Sequence, residues 1–278
     1  MAQIFMRFPE GKQRAITFSY DDGVEQDRKL VKLFCDNGFK VTVNINSGLY
    51  AEEGYVYPAG QIHRRMSASE VKKLYTNDNV EVAVHGEKHP WFTYMPMAMC
   101  TKDLLTDREN LEKQFGTIIR GMAYPYGNYD DNVVKCMESV GIVYSRTVNS
   151  THDFEMPADW MRLNPTCHHD DPKLMELTDR FLNDKSGRPR LFYLWGHSYE
   201  FEANDNWNVI EDFVKYMKEH QEEMWCATNI EIYDYQKAFE QLQFSVDGSI
   251  VHNPTATKLW FTKDGELISV EPGETKKL

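Results

Sequence analysis

The chain of 278 residues is long enough for one large α/β domain, or for such a domain with a small appendage. Its formal net charge of −12 argues against nucleic acid or an anionic membrane surface as the main partner, and no apolar run is long enough to cross a bilayer. The first residues lack the apolar stretch of a signal peptide, and the five widely spaced cysteines are typical of free thiols, so we expect a cytoplasmic protein, or a secreted one whose signal has been removed.

Strand-like and helical patterns alternate along residues 1–240. The predicted strands are 4–8, 15–20, 40–45, 80–84, 118–124, 142–147, 190–195 and 225–228. The predicted helices are 26–37, 67–75, 96–115, 130–140, 172–182, 207–220 and 230–240. Repeated strand–helix units favour a (β/α) barrel with six or seven parallel strands, complete or incomplete. Active residues should then lie at the carboxyl ends of the strands.

Three segments depart from this alternation. Residues 46–66 form a loop that is long enough to line a cleft, and residues 149–171 are predicted to be irregular. From residue 241 onward, short strand-like runs are separated by Asp-Gly and Asn-Pro turns. We therefore predict a catalytic domain over residues 1–240 and a small antiparallel β appendage over residues 241–278.

The strand that begins near Ile16 ends in two adjacent carboxylates and a glycine, Asp21-Asp22-Gly23. Two carboxylates buried side by side are costly unless a cation or a proton compensates them. A turn at Gly23 would let both side chains reach one cavity, where one holds a metal and the other accepts a proton. The alternative is a strand followed by an acidic turn or a helix cap.

The strand over residues 80–84 ends at His85-Gly86-Glu87-Lys88-His89-Pro90. Two histidines four residues apart share a face if the link makes one helical turn, and such pairs suit Zn²⁺ and related divalent ions. The segment is not a metalloprotease His-Glu-x-x-His, because Gly86 stands where that motif has glutamate. Taken alone, the pair is equally compatible with a surface loop; with Asp21-Asp22 at another strand end, a site of two histidines and one carboxylate is favoured.

A later strand runs into Gly196-His197-Ser198-Tyr199-Glu200. His197 is a candidate general acid, since imidazole titrates near neutral pH. The segment nearly matches the serine-hydrolase elbow Gly-x-Ser-x-Gly, but Glu200 replaces the final glycine, which disfavours Ser198 as a nucleophile. In the segment 121–127, Pro125 and Gly127 predict a turn whose backbone N–H groups could face a developing oxyanion. The alternative is an aromatic loop without a catalytic role.

These strand ends together resemble the motifs of the polysaccharide deacetylases, the NodB-homology fold of carbohydrate esterase family four. The segments that carry the resemblance, in chain order, are Tyr20-Asp21-Asp22-Gly23, His85-x-x-x-His89, Tyr124-Pro125-Tyr126-Gly127 and Leu194-Trp195-Gly196-His197. The resemblance covers roughly residues 14–230. The phrase over residues 17–23, with Trp195-Gly196-His197-Ser198, is similar to a branch of the family that includes gellan-lyase-like proteins.

The resemblance implies a metal-dependent hydrolase that removes N- or O-linked acetyl groups from an acetylated oligo- or polysaccharide. The implied ligands of one divalent ion, Zn²⁺ in the first place with Co²⁺, Ni²⁺ or Mn²⁺ as other candidates, are Asp22, His85 and His89. The implied catalytic groups are Asp21 as general base, His197 as general acid and Tyr126, whose backbone N–H stabilises the oxyanion.

The chain departs from the family pattern at two motifs. Ala123 stands where the third motif usually begins with arginine, and either Arg146 or Arg162 is predicted to orient Asp21 instead. The fourth motif is only echoed by Asp153 and Asp159-Trp160, with Asp159 as the carboxylate that would tune His197.

Further residues are candidates for the cleft. The predicted substrate-binding side chains are Arg146, Trp160, His168, His169 and Trp195. The run His168-His169-Asp170-Asp171 is either a second metal site or, as we favour, cleft lining and a helix cap ahead of Pro172.

Two alternative functions remain. The missing arginine at Ala123 suggests a metal-containing carbohydrate-binding protein without turnover. Related sites that cleave small cyclic amides suggest an amidohydrolase on a non-sugar substrate. A purely structural protein is disfavoured, because histidines beside carboxylates in a cleft are unusual as scaffolding.

Overall fold

The structure is a computed structural model that describes residues 3–278. Its strands are β1 Ile4–Arg7, β2 Arg14–Asp21, β3 Val41–Ile45, β4 Val80–Val84, β5 Gly121–Ala123, β6 Tyr144–Arg146, β7 Cys167–His168, β8 Arg190–Gly196, β9 Met224–Cys226, β10 Gln243–Phe244, β11 Ile250–His252, β12 Leu259–Lys263, β13 Glu266–Val270 and β14 Thr275–Lys277. Its α-helices are α1 Asp27–Asp36, α2 Ala68–Tyr75, α3 Met97–Phe115, α4 Asp131–Ser139, α5 Leu174–Leu182, α6 Ser198–Ala203, α7 Asn208–Glu219 and α8 Asn229–Phe239.

Seven parallel strands form a curled half-barrel in the order β6-β5-β4-β3-β2-β8-β7. An eighth strand, β9, pairs in parallel with the first three residues of β2. The predicted (β/α) barrel is therefore confirmed in its incomplete form. Among the helices described, none has both the length and the apolar character needed to span a bilayer.

The central strand β2 shows why the sheet lies inside the molecule. Seven of its eight residues are buried, as expected for a strand covered on both faces. On the outer face, Phe18 stacks on Phe34 of α1 with ring centroids 4.3 Å apart, while Leu30 and Val31 of the same helix are also buried. Truncating a ring such as Phe18 to alanine typically costs about 3–5 kcal/mol. This packing holds the carboxyl end of β2 in a fixed position.

Helix boundaries follow the local signals in the sequence. Ser67 and Glu70 form the predicted capping box of α2. Asp130 caps α4 by accepting the backbone N–H groups of Asn132 and Val133. Gly116 ends α3 in the left-handed conformation, with φ of 69°.

Three elements differ from the sequence prediction. The segment 149–171 is not wholly irregular, because β7 pairs with β8 through Cys167 and His168. The short helix α6 directly follows His197. The first strand, β1, does not join the parallel sheet but pairs antiparallel with β12. The pairings of β7 with β8 and of β1 with β12 each depend on a partner distant in sequence, which local patterns do not reveal.

The C-terminal segment contributes five strands to two three-stranded sheets, and β1 supplies the sixth. One sheet is β1-β12-β13 and the other is β10-β11-β14, and their pairings are antiparallel. The pairing of β1 with β12 ties the two ends of the chain together. The division into domains at residues 240 and 241 stays a prediction.

The buried carboxylate of Asp27 joins three helices, and it should make stability depend on pH. It accepts hydrogen bonds from Ser198, Tyr75 and the backbone N–H of Val24. Burial raises the pKa of Asp27 from 3.8 to about 6. Because the folded state then holds this proton more tightly than the unfolded state, the group's contribution falls as pH rises from about 4 to about 6 and stays constant above that.

We expect Asp27→Asn to remove this dependence. Between pH 4.5 and pH 7.5, the wild-type free energy of unfolding should decrease relative to that of the variant by about 2 kcal/mol, measured by urea unfolding. The exposed Asp36→Asn at the other end of α1 is the control and should titrate like the wild type. Equal slopes for wild type and Asp27→Asn would contradict this assignment.

Candidate active site

Polar side chains meet at the carboxyl ends of three strands of the parallel sheet, β4, β2 and β8, with β3 between β4 and β2. Asp21 is the last residue of β2, His85 follows β4, and His197 follows β8. The Nε2 atoms of His85 and His197 lie 3.8 and 3.7 Å from Oδ2 of Asp21. The structure therefore brings these three predicted residues together, at the edge of the sheet where parallel α/β folds place their sites.

Asp21 is held in one orientation from two sides. Asn44, its register partner on β3, donates to Oδ1 at 2.8 Å, and the Arg146 guanidinium donates to Oδ2. Burial alone would raise the pKa of Asp21, but the neighbouring Arg146 guanidinium, followed by the imidazoles of His85 and His197, lowers it below its ordinary value. The carboxylate is therefore ionised at neutral pH and buried, which suits a proton acceptor.

Arg146 contacts Asp21 from β6, the strand next to Ala123, where the third motif usually has its arginine. Ala123 on β5 and Arg146 on β6 are direct register partners, so the two residues lie at the same level of the sheet. The Arg146 side chain is fully buried, and its guanidinium lies 4.2 Å from the centroid of the Trp195 ring. The chain thus places an arginine beside Asp21 although the third motif lacks it.

A group of side chains that could hold a metal lies beside Asp21. Asp22, His85 and His89 each offer one donor atom, and these atoms lie within 4.8 Å of one another. His85 donates through Nδ1 to the carbonyl oxygen of Ala123 at 2.7 Å, which leaves the lone pair of Nε2 free. Burial lowers the pKa of His85, and it lowers that of His89 to about 4. Two neutral imidazoles and one carboxylate fit a divalent ion.

Two residues of the loop over residues 46–66 contact Asp22, and the sequence analysis did not identify either of them. Arg65 donates to Oδ1 of Asp22 at 2.8 Å, and His63 donates to Oδ2 at 3.2 Å. Although burial alone would raise it, the pKa of Asp22 is lowered by His63 and Arg65. Each carboxylate oxygen has a second lone pair, so these contacts orient Asp22 and still leave it able to bind an ion.

Strained backbone marks the same region. Of the seven non-glycine residues with positive φ in the described chain, three belong to this site: Asp22 at 85°, His89 at 52° and Tyr126 at 58°. Such conformations cost about 1–3 kcal/mol each and cluster at functional sites. The exposed ring of Tyr126 stacks on Trp91 with centroids 4.1 Å apart and meets the edge of His89 at 4.3 Å.

His197 is paired with Glu200 rather than with Asp159. Nδ1 of His197 lies 3.2 Å from Oε1 of Glu200, the third residue of α6, within a capping box. Burial alone would lower the pKa of His197, but the hydrogen bond to Glu200 and the charge of Asp21 raise it overall. Asp159 accepts instead from the N–H of Met161, so the prediction that Asp159 tunes His197 is wrong.

Other predicted contacts also need correction. Trp160 packs edge-on against Tyr233 of α8, 5.2 Å between centroids, and is buried in the core. Arg146 and His169 are fully buried, so neither has exposed surface for a direct substrate contact. Arg162 pairs with Asp131 and Asp159 rather than with Asp21.

The remaining predicted residues fall into two groups. His168 and Trp195 lie beside His197, with ring centroids 6.4 and 5.8 Å away. The Ser198 hydroxyl is buried and donates to Asp27, so it is not available as a nucleophile.

Comparison with known proteins agrees with this fold. Residues 9–145 match the family model described as "Polysaccharide deacetylase". A proposed polysaccharide deacetylase from Mycobacterium smegmatis is similar in structure, with 15% identity, 84% of this chain and 93% of that chain covered and a TM-score of 0.58. The Xyl-CE4 domain of a multidomain xylanase from the hindgut metagenome of Trinervitermes trinervoides has 12% identity, 82% and 92% coverage and a TM-score of 0.53.

Some matches are partial. Deacetylase PplD of Streptococcus pyogenes, in complex with acetate, has 19% identity over 52% of this chain, with a TM-score of 0.44, and the match spans 61% of that protein. The match to a polysaccharide deacetylase from Bacillus cereus covers 44% of that protein's length. No curated protein sequence matches the chain. The matched residues 9–145 make up just under half of the chain, and the structures from Mycobacterium smegmatis and from the Trinervitermes hindgut metagenome share its half-barrel fold.

Proposed function

We propose that the chain is a metal-dependent hydrolase that removes acetyl groups from saccharides. One observation carries the proposal. The possible metal ligands Asp22, His85 and His89 lie at one edge of the sheet together with a separate buried carboxylate, Asp21, and a histidine of raised pKa, His197. The match of residues 9–145 to the polysaccharide deacetylase family supports the substrate class. The phrase over residues 17–23 favours the gellan-lyase-like branch of that family.

The metal-type group defines one side of the reacting centre. Asp22, His85 and His89 would hold a divalent ion, which we propose to be Zn²⁺ and which would supply Lewis acidity to the acetyl carbonyl and to an attacking water. The hydrogen bond from His85 to Ala123 fixes the orientation of one ligand ring. Arg65 and His63 fix the Asp22 carboxylate in the same way.

Asp21 is the proton acceptor in this proposal. It is ionised and buried, and it lies outside the set of proposed ligands, so it is free to take a proton from the water that attacks the acetyl carbon. The hydrogen bonds from Asn44 and Arg146 keep its carboxylate in one position during this transfer. The backbone N–H of Tyr126, in the turn beside His89, is proposed to stabilise the oxyanion.

His197 is the proton donor in this proposal. Its raised pKa keeps the imidazolium populated near neutral pH. Its Nε2 lies 3.7 Å from Oδ2 of Asp21, so the base and the acid can act at the same acetyl group. The proton goes to the nitrogen of an amide or the oxygen of an ester as that group leaves. The same residues serve both leaving groups, so N- and O-linked acetyl groups are both included.

The structure weakens the argument for a binding protein without turnover. That alternative rested on the missing arginine at Ala123, and Arg146 occupies the neighbouring strand and contacts Asp21. A saccharide is favoured over a small cyclic amide because Trp91 and Tyr126 present a stacked and exposed aromatic pair beside His89. Aromatic faces of this kind pack against the apolar faces of sugar rings.

His85→Ala tests the proposal through metal content and acetate release together. We expect the variant to lose one equivalent of bound Zn²⁺, measured on dialysed protein, and to lose acetate release from acetylated oligosaccharides. The substitution His220→Ala is the matched control, since His220 is partly exposed and forms an ion pair with Glu223. Unchanged metal content and unchanged acetate release in His85→Ala would overturn the proposed function.

A further inference from the structure

A second group of metal-type side chains lies on the other side of His197. It consists of His168, His169 and Asp170, at the end of β7, and Glu200 of α6. One donor atom from each residue lies within 4.8 Å of the others. None of these residues belongs to the group formed by Asp22, His85 and His89.

His169 is the unusual member of this group. Its side chain is 0% exposed, and neither ring nitrogen has a hydrogen-bond partner among the described residues. Nε2 nevertheless lies 3.2 Å from Oε2 of Glu200 and 3.4 Å from Oδ1 of Asp170. A buried polar atom that is close to two carboxylates but aligned for a hydrogen bond to neither has lost its hydration without gaining a hydrogen bond, which destabilises the fold.

Packing prevents the His169 ring from turning toward another partner. The ring lies between Phe201, with centroids 4.1 Å apart, and Tyr20, with centroids 5.8 Å apart. A Cβ on Gly196 would lie 2.0 Å from Nδ1 of His169, so only glycine fits there. The surrounding residues therefore fix Nε2 in its position facing the two carboxylates.

The separations match those between ligands of one ion. Tetrahedral coordination with metal–ligand distances of about 2.0–2.1 Å places the ligand atoms about 3.3 Å from one another. The two distances from Nε2 of His169, 3.2 and 3.4 Å, have this size. The two carboxylates, Asp170 and Glu200, also supply negative charge that a cation would neutralise.

His168 has a different part in this group. Its Nδ1 accepts the backbone N–H of Asp170 at 3.2 Å, so in the neutral ring Nε2 carries the proton. That nitrogen lies 3.1 Å from Oε2 of Glu200 and can donate to it. On the other side, the side-chain amides of Asn204 and Asn206 lie 3.4 Å from the Asp170 carboxylate. These contacts orient the two carboxylates, and neither His168 nor the two asparagines is a proposed ligand.

We propose that His169, Asp170 and Glu200 form a second divalent-cation site, with Nε2, Oδ1 and Oε2 as the ligand atoms and the remaining position open. The mixture of imidazole and carboxylate donors suits Zn²⁺ or Mn²⁺. The site touches the proposed general acid, because the other oxygen of Glu200, Oε1, lies 3.2 Å from Nδ1 of His197. A cation bound to Oε2 would therefore change the charge that Glu200 presents to His197. Asp21 and His197 lie between this cation site and the proposed site of Asp22, His85 and His89.

Zn²⁺ binding to the full chain tests this proposal without reference to turnover. Equilibrium dialysis should give two equivalents for the wild type, one for Asp170→Asn, one for His85→Ala and none for the double variant. Asp170 is partly exposed, so the isosteric substitution should fold. His169→Gln should also bind one equivalent if circular dichroism shows that it folds, and His220→Gln is the control for a surface His–Glu pair and should bind two.

Thermal unfolding of His85→Ala gives a second readout. Excess Zn²⁺ should raise its melting temperature through binding to the folded state, and Asp170→Asn in the same background should abolish the rise. Two equivalents in Asp170→Asn, or a wild type whose single equivalent disappears in His85→Ala, would overturn the second site. The latter result would leave the proposed function intact, so the two failures are distinguishable.

Discussion

Asp21→Asn should reduce kcat/KM for deacetylation by about 10³-fold, since general-base catalysis typically contributes about 10²–10⁴-fold. The substitution keeps the shape of the side chain but removes the proton acceptor, at a position where the carboxylate is buried and ionised. In free energy the loss corresponds to about 4 kcal/mol of transition-state stabilisation. Because Asp21 lies outside the proposed ligand set, bound Zn²⁺ should remain at the wild-type level.

The control for this prediction is another aspartate on the same domain. Asp159→Asn removes a carboxylate that the sequence placed near His197 and that the structure places beside Arg162. We expect its kcat/KM to stay within about twofold of the wild type, as for surface substitutions remote from the chemistry. A variant Asp21→Asn that keeps more than a tenth of wild-type activity, with metal bound, would contradict the assignment of Asp21 as the base.

Moving the buried arginine between strands should remove and then restore activity. Arg146→Ala leaves Asp21 without its cation, and breaking a buried ion pair costs about 3–5 kcal/mol of stability. We expect kcat/KM to fall by about 100-fold, as when a group that positions a catalytic residue is lost. Ala123→Arg in the same chain places a guanidinium on the adjacent strand at the same level and should recover at least about tenfold.

The recovery depends on space as well as charge. Ala123 is completely buried, so Ala123→Arg alone should overpack the site and destabilise the fold, whereas the double variant conserves the total side-chain volume. Folding of each variant is checked by thermal unfolding before its kinetics are compared. A folded double variant that is no more active than Arg146→Ala would contradict the view that the arginine has moved between β5 and β6.

Local patterns in the sequence predicted most of the sheet and the positions of the strand ends. Runs such as residues 80–84 are rich in β-branched valine, and the turn and cap residues around them mark where each element stops. In a parallel sheet the carboxyl ends of strands meet at one edge, so the proximity of Asp21, His85 and His197 followed from the fold class alone.

Contacts between distant segments could not be predicted in this way. Arg65 and His63 lie in a long loop, and only the folded chain brings them to Asp22. Glu200 has a local signal, because a glutamate three residues after His197 completes a capping box, but the same residue also stands out as a departure from the serine-hydrolase elbow. Asp159 is a case of the reverse kind. A loose match to the fourth motif predicted that it lies at His197, but its carboxylate accepts the backbone N–H of Met161 instead.

Acetate release is the most direct test of the central claim. The wild-type chain is assayed on acetylated xylo-oligosaccharides, chito-oligosaccharides and an aryl acetate, with added Zn²⁺ and with a chelator. We expect release from at least one acetylated sugar that stops with the chelator and returns with Zn²⁺, and the preferred sugar will distinguish an ester from an amide substrate. No release from any of these compounds, with Zn²⁺ bound to Asp22, His85 and His89, would contradict the account of this chain as a saccharide deacetylase.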